Sequence, residues 1–140
     1  FLYKNNLELK PVLSFKTKIA QVKTLPAGHT VGYGLTYMTH SDKKVALLPV
    51  GYSDGLDRRM SNEARVLIGG TRCKILGRVA MNMTVVDISH LPSVAEEAEV
   101  VIIGKQGNEE ITAEEVAHRI GTINYEVTTK LSPLLPRILL

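Results

Sequence analysis

One hundred and forty residues, 44% apolar and 22% charged, describe a globular chain long enough for one domain with its own core, and exclude a disordered tail. Seventeen Lys and Arg against fourteen Asp and Glu leave a formal charge of only +3, and the basic residues are scattered, which argues against a nucleic-acid surface. The opening Phe1-Leu2-Tyr3-Lys4 has no Met and no signal pattern, so the start reads as a cut; no apolar run reaches the roughly 18 residues of a membrane span, so neither export nor a membrane partner is expected.

In chain order, Leu13, Phe15 and Ile19 interleaved with Lys16 and Lys18 have the period of two of a half-buried strand, predicted to end near the turn Leu25-Pro26-Ala27-Gly28. Val31-Gly32-Tyr33-Gly34-Leu35-Thr36-Tyr37 holds too much glycine for an interior strand and is too short for a helix, so its backbone is permissive and approachable. Val45 to Val50 is a continuous apolar run of the kind covered on both faces, closed by Gly51-Tyr52-Ser53-Asp54-Gly55. Ala64–Ile68 and Thr71–Leu76 flank Gly69-Gly70, the dipeptide of a two-residue primed hairpin turn, in which both central residues need positive φ. Val79–Met81, Met83–Ile88 and Val100–Ile103 are further short strands, separated by Pro92 and the solvated acidic run Glu96, Glu97, Glu99.

Thr112 followed by Glu115 is a capping box, and Val116, Ala117 and Ile120 form the apolar stripe of a short helix stopped by Gly121. A second helical turn is predicted from Thr122 or Asn124, carrying Tyr125, Val127 and Leu131; beyond it Pro133 and Pro136 forbid helix and leave an extended Arg137–Leu140. The single cysteine, Cys73, reads as a small strand residue and suits a reducing, cytoplasmic setting. Together these elements predict a mainly β fold: a small barrel or sandwich over residues 1–140, with one or two short helices near the C-terminus packed at one end.

Most routes to chemistry are closed. His29, His40, His90 and His118 have no metal-ligand spacing and no companion cysteine pair, so no metal is expected. Gly104-Lys105-Gln106-Gly107 is followed by Asn108-Glu109-Glu110 rather than the Ser or Thr of a phosphate loop, and reads as a plain turn. No Gly-x-Ser-x-Gly elbow occurs, and Ser89-His90 is mere adjacency. What remains is a set of tyrosines and arginines: Gly32-Tyr33-Gly34, Gly51-Tyr52-Ser53-Asp54-Gly55 with Arg58-Arg59, Gly77-Arg78-Val79-Ala80-Met81-Asn82-Met83, and Ile123-Asn124-Tyr125-Glu126. Singly, each has a plain explanation in packing or solvation.

In order, and with Tyr33 and Tyr52 nineteen residues apart, these segments resemble the C-terminal domain of the alanine racemase family, from Lys10-Pro11-Val12-Leu13-Ser14 to Pro136-Arg137. The resemblance implies a pyridoxal-phosphate enzyme that interconverts L- and D-alanine. It implies a homodimer in which an N-terminal β/α barrel, absent from this chain, carries the lysine that holds the cofactor as a Schiff base. Each site would join one barrel to the partner's β domain, so this chain alone would be inactive. By the same resemblance Tyr33 is one of two opposed catalytic bases, Met81 offers its backbone N–H to the substrate carboxylate in the partner's site, and Tyr125 hydrogen-bonds the cofactor phosphate of its own subunit. Tyr52 lines the inner gate of the substrate entrance, with Arg58, Arg78 and Ile123 farther out. Inversion needs one proton removed from one face and one returned to the other, and a phenol serves as base only where cationic or donor groups favour its ionised form.

One departure stands beside Met81: Asn82 occupies the place where the family usually has Asp, which removes a negative charge at the entrance and opens the substrate range to serine or another small amino acid. A different class of reading also stands, a non-catalytic β module for dimerisation whose tyrosines only pack. The coding sequence upstream, barrel or not, separates the two.

Overall fold

A computed structural model describes residues 10–139, so the Phe1-Leu2-Tyr3-Lys4 start and Leu140 lie outside the described residues. The single first strand expected from the alternation is two strands, β1 (Phe15–Lys18) and β2 (Gln21–Leu25), with a bend at Ile19-Ala20. Ile19 is fully buried and its N–H donates to Ala98 O at 3.0 Å, whereas Ala20 N–H donates to Leu47 O at 2.9 Å, so the chain changes partners within one residue.

Eight further strands follow among the described residues: β3 (Thr30–Val31), β4 (Tyr37–Met38), β5 (Lys43–Leu48), β6 (Arg65–Ile68), β7 (Thr71–Leu76), β8 (Thr84–Asp87), β9 (Glu99–Gln106) and β10 (Glu109–Ile111). The main sheet runs β1-β9-β6-β7-β8-β5-β2, with β10 paired to β9 off this path. All its pairings are antiparallel. Its two outermost strands are consecutive halves of one bent segment and are not paired with each other, so the sheet is open, and the mainly β expectation holds.

Alternation places Ala46, Leu48, Val66, Ile75, Val86 and Val101 in one large apolar core, against which the helices α1 (Ala113–Ile120) and α2 (Asn124–Thr129) pack through Val116, Ala117, Ile120 and Val127. The opposite face is covered too. Leu25, Val31, Val45 and Leu76 form a second cluster with Tyr37 and Val85, which anchors the small β3–β4 ribbon on the sheet. Val45 and Ala46 therefore point into different cores, as the unbroken apolar run requires.

The β6–β7 hairpin turns at Gly69 and Gly70, both at positive φ (57° and 72°). In α1 the Thr112 hydroxyl accepts from Glu115 N–H at 3.1 Å, and Gly121 takes the left-handed C-cap at φ 71°.

Two expectations are corrected. Val79–Met81 is not a strand: Gly77, at φ 72°, ends β7, Val79 N–H donates to Ser61 Oγ, and the segment lies as a loop across residues 51–53. Gly104-Lys105-Gln106 belongs to β9, and only Gly107-Asn108 turns, which creates the unforeseen β10. Arg137–Leu139 belongs to no helix or strand, and Leu140, the last residue of the expected extended segment, lies outside the described residues. No helix among the described residues is long and apolar enough to cross a membrane.

Candidate active site

Tyr33 begins a single 3₁₀ turn, Tyr33–Leu35, at the tip of the β3–β4 ribbon, and no side chain of that turn is buried. Its ring is 73% exposed. Three glycines allow the tip to lie flat on the loop after β7. A Cβ on Gly32 (φ 76°) would stand 2.8 Å from Arg78 N, and one on Gly34 (φ 72°) 3.3 Å from Arg78 Nη1. On Gly77 a Cβ would stand 2.5 Å from Val31 O. Only a chain without side chains at these points permits such backbone contact, and it brings Arg78 under the turn that presents Tyr33.

The second glycine-flanked tyrosine is placed by the same device. A Cβ on Gly51 would lie 2.2 Å from Ala80 O and 2.3 Å from Met81 O. Across that contact Tyr52 N–H donates to Ala80 O (3.0 Å), and Ser53 donates to Met81 O through both its N–H (3.0 Å) and its hydroxyl (2.8 Å). Asp54 accepts from Gly51 N–H at 2.9 Å and braces the turn. The carbonyl of Met81 is thereby doubly held, whereas its N–H donates to none of the described residues. Asn82 follows it, exposed.

Two open hollows connect these segments. Tyr52, Gly55, Asp57, Arg58 and Lys130 line one of about 350 Å³, and Arg58, Arg59, Ser61 and Arg78 line another of about 260 Å³. Arg58 belongs to both, so a continuous surface runs from Tyr52 past Arg58 and Arg78 to the Tyr33 turn. A larger hollow elsewhere, bounded by Val12–Lys16 and Leu135–Leu139, contains none of the predicted site residues.

The charges along this surface are sorted. Asp57 Oδ1 accepts from Arg59 N–H (2.9 Å) and Nε (3.0 Å), and Oδ2 from Arg59 Nη2 (2.8 Å) and Lys130 Nζ (3.4 Å). The Arg59 guanidinium holds the Asp57 carboxyl well below the usual carboxylate range. Arg59 also donates to Ile120 O at 2.8 Å, tying the Arg58–Met60 turn to the end of α1. Arg58 and Arg78 form no ion pair among the described residues, so the hollows are lined by cations free to meet an anion.

Ile123 at the N-cap of α2 and Tyr125 in its first turn are 63% and 74% exposed and lie in neither hollow; α2 borders the first only through Lys130 at its C-cap. The Tyr125 hydroxyl donates to none of the described residues. Cys73 is buried, and burial pushes its thiol up to about 12, which makes it inert packing rather than a nucleophile. Among the described residues no His, Cys, Asp or Glu group is arranged to hold a metal.

The residues that hold the site together carry no sequence motif. Ser61 and Asn62 grip both flanks of Arg78: Val79 N–H donates to Ser61 Oγ at 3.0 Å and Gly77 N–H to Asn62 Oδ1 at 2.7 Å. They follow a 3₁₀ turn in a polar stretch without periodicity, and only the Asp57-x-Arg59 pattern of a side-chain cap marks that turn in the sequence.

Comparison with known proteins converges on one family. The family model described as the C-terminal domain of alanine racemase matches residues 12–139. The alanine racemase of Leptospira interrogans is 45% identical over 133 residues, 95% of this chain and 34% of that protein. That of Syntrophobacter fumaroxidans is 48% identical over 120 residues, 86% of this chain and 32% of that protein. The chain thus spans about a third of the length of the curated relatives it matches. Among solved structures, the Bacillus anthracis alanine racemase with bound L-Ala-P has a TM-score of 0.86 at 38% identity, covering 91% of this chain and 32% of that one. The Clostridium difficile enzyme in complex with cycloserine has a TM-score of 0.85 at 37% identity, covering 93% and 34%.

Proposed function

The chain belongs to the family of alanine racemase C-terminal domains, and from that membership we propose that it supplies one wall of a pyridoxal-phosphate site that interconverts L- and D-alanine, with Tyr33 as one of two opposed bases. An N-terminal β/α barrel and a second subunit complete the site in this reading, and the domain alone is inactive. The observation that carries it is Tyr33 itself: an aromatic residue 73% exposed at the tip of a glycine-flanked ribbon, on a turn with no buried side chain, has no packing role to explain it.

The donor chemistry present suits the cofactor. Tyr125 offers an exposed phenol O–H with no partner among the described residues, a neutral donor fitted to a phosphate oxygen of the cofactor in its own subunit. When bound, the cofactor supplies an electron sink for the charge left at the α-carbon. This chain's residues do the rest of their work by position. The Met81 N–H, held by the two bonds to its own carbonyl, donates to the substrate carboxylate. Tyr52 gates the entrance, and Arg58 and Arg78 draw the carboxylate along the connected hollows, with Ile123 farther out. Asn82 presents a neutral amide at that entrance, so a substrate panel including serine defines the range.

Replacing Tyr33 by Phe in the protein that carries the barrel tests this reading. Racemisation in both directions falls at least about a hundredfold, the usual worth of a general base, with the fold unchanged. Rates equal to the unsubstituted enzyme would overturn it.

A further inference from the structure

The turn that presents Tyr33 buries none of its own side chains, so beyond the packed strands that flank it, its position depends on the bonds made to its backbone and ends. The structure assigns that role to Asn62: we propose that it is the positioning residue that clamps the Tyr33 turn against the Arg78 segment. The proposal rests on Tyr33 being a base, and goes beyond it by naming what orients the phenol.

Three hydrogen bonds carry the inference. Gly77 N–H donates to Asn62 Oδ1 at 2.7 Å, Asn62 N–H donates to Gly77 O at 3.2 Å, and Asn62 Nδ2 donates to Thr36 Oγ1 at 3.1 Å. Gly77 N–H can only donate, which fixes the oxygen of the side-chain amide toward it and leaves the nitrogen for Thr36. Thr36 closes the turn that begins at Tyr33, and Gly77 precedes Arg78. One amide therefore spans both segments at the point where Gly32 and Gly77 bring their backbones together. Asn62 is itself in the left-handed region at φ 61°, a conformation asparagine tolerates better than most residues, so residue type, backbone and contacts agree.

A phenol turned away from the α-carbon by about an ångström transfers protons far more slowly while binding is little changed, because proton transfer depends on geometry that binding does not sample. Asn62→Gly keeps the backbone conformation and removes the side chain; Thr36→Val removes only the link to the turn. In the barrel-containing holoenzyme each lowers kcat by ten- to a hundredfold with KM within about threefold, on the scale set by small misplacements of catalytic groups. The double variant is no worse than Asn62→Gly alone, since both cut one link. Asn62→Asp restores most of the rate, because the carboxylate accepts from Gly77 N–H and from the Thr36 hydroxyl turned as donor.

Two readouts separate this from general damage. Solvent-deuterium exchange at the α-carbon slows for the enantiomer whose proton Tyr33 removes, while that of the other persists. Amide hydrogen exchange across residues 32–36 accelerates in Thr36→Val without a change in the buried strands. Tyr33→Phe is measured in parallel: if it retains activity, the base assignment fails. If Tyr33→Phe collapses but folded Thr36→Val keeps kcat within twofold, or leaves exchange at 32–36 unchanged, the clamp is overturned. Should Asn62→Gly not fold, Thr36→Val still decides, since Thr36 is exposed at the ribbon tip.

Discussion

Gly51 shows how a single missing side chain sets the site. Two carbonyl oxygens, of Ala80 and Met81, occupy the space a Cβ would take, at 2.2 and 2.3 Å. Neither can retreat without breaking the bonds from Tyr52 and Ser53. Gly51→Ala therefore destabilises the chain by about 3 kcal/mol, the upper part of the range for overpacking, read as a lower urea midpoint at unchanged slope. Gly28→Ala is the contrast. Nothing lies within 4 Å of its Cβ position, so only the cost of a left-handed backbone at φ 79° remains, about 1 kcal/mol. Gly51 is not at positive φ, so its cost is that of the contact alone, and that of Gly28→Ala is the conformation alone. At this scale the sequence is partly legible. Glycines flanking Tyr33 and Tyr52 mark both tyrosines as turn-borne, and the turns do present them. Asn62 and Ser61 were not legible, because a side chain that bonds backbone fifteen or eighteen residues away leaves no local pattern.

Elements are joined by one guanidinium. Arg72 on β7 donates from Nε to Glu109 on β10 (2.7 Å), from Nη1 and Nη2 to Glu115 on α1 (2.7 and 3.0 Å), and from Nη2 to Glu110 O (2.6 Å). Its side chain is 30% exposed, between the regimes in which an ion pair is worth little and in which a broken one costs most. Arg72→Met keeps the stem packed and removes the bonds. It lowers stability by about 1–2 kcal/mol, and hydrogen exchange rises first in β10 and the start of α1, the elements the guanidinium ties down. The strands and helices with local signals were legible: the Gly69-Gly70 hairpin, the Thr112 capping box and the apolar β5. The bend at Ile19-Ala20 leaves only a faint mark: the alternation changes phase there, from Phe15 and Ile19 to Ala20 and Val22, as the partner changes from Ala98 to Leu47 and divides β1 from β2. For Val79–Met81, apolar character signals burial without saying whether a strand is the form it takes: Val79 is buried in a loop.

The molecule as a whole depends on carboxylates held in their charged form. Asp57, bonded first by the Arg59 guanidinium, and Glu115, bonded first by Arg72, both have pKa values lowered in the fold. A carboxyl whose folded pKa lies below its unfolded value contributes stability fully above the ordinary carboxylate range and loses it as pH falls through the folded value. Stability of the chain is therefore level from neutrality to about pH 5 and declines below about pH 4, where the unfolded chain takes up protons that Asp57 and Glu115, held by Arg59, Lys130 and Arg72, refuse in the fold. Seventeen Lys and Arg stay charged as the fourteen carboxylates neutralise, so self-repulsion works in the same direction. Asp57→Asn separates the local part. With 14% of its side chain exposed and bonds from both Arg59 and Lys130, Asp57 contributes about 2 kcal/mol at neutral pH. The variant is weaker by that amount at pH 7, and the gap narrows as pH drops toward 2, because unfolded Asp57 then takes up a proton that folded Asp57 refuses, whereas the amide has none to take. Urea midpoints from pH 7 to 2 on both proteins measure it; a gap constant with pH would show that Asp57 acts by packing rather than by charge.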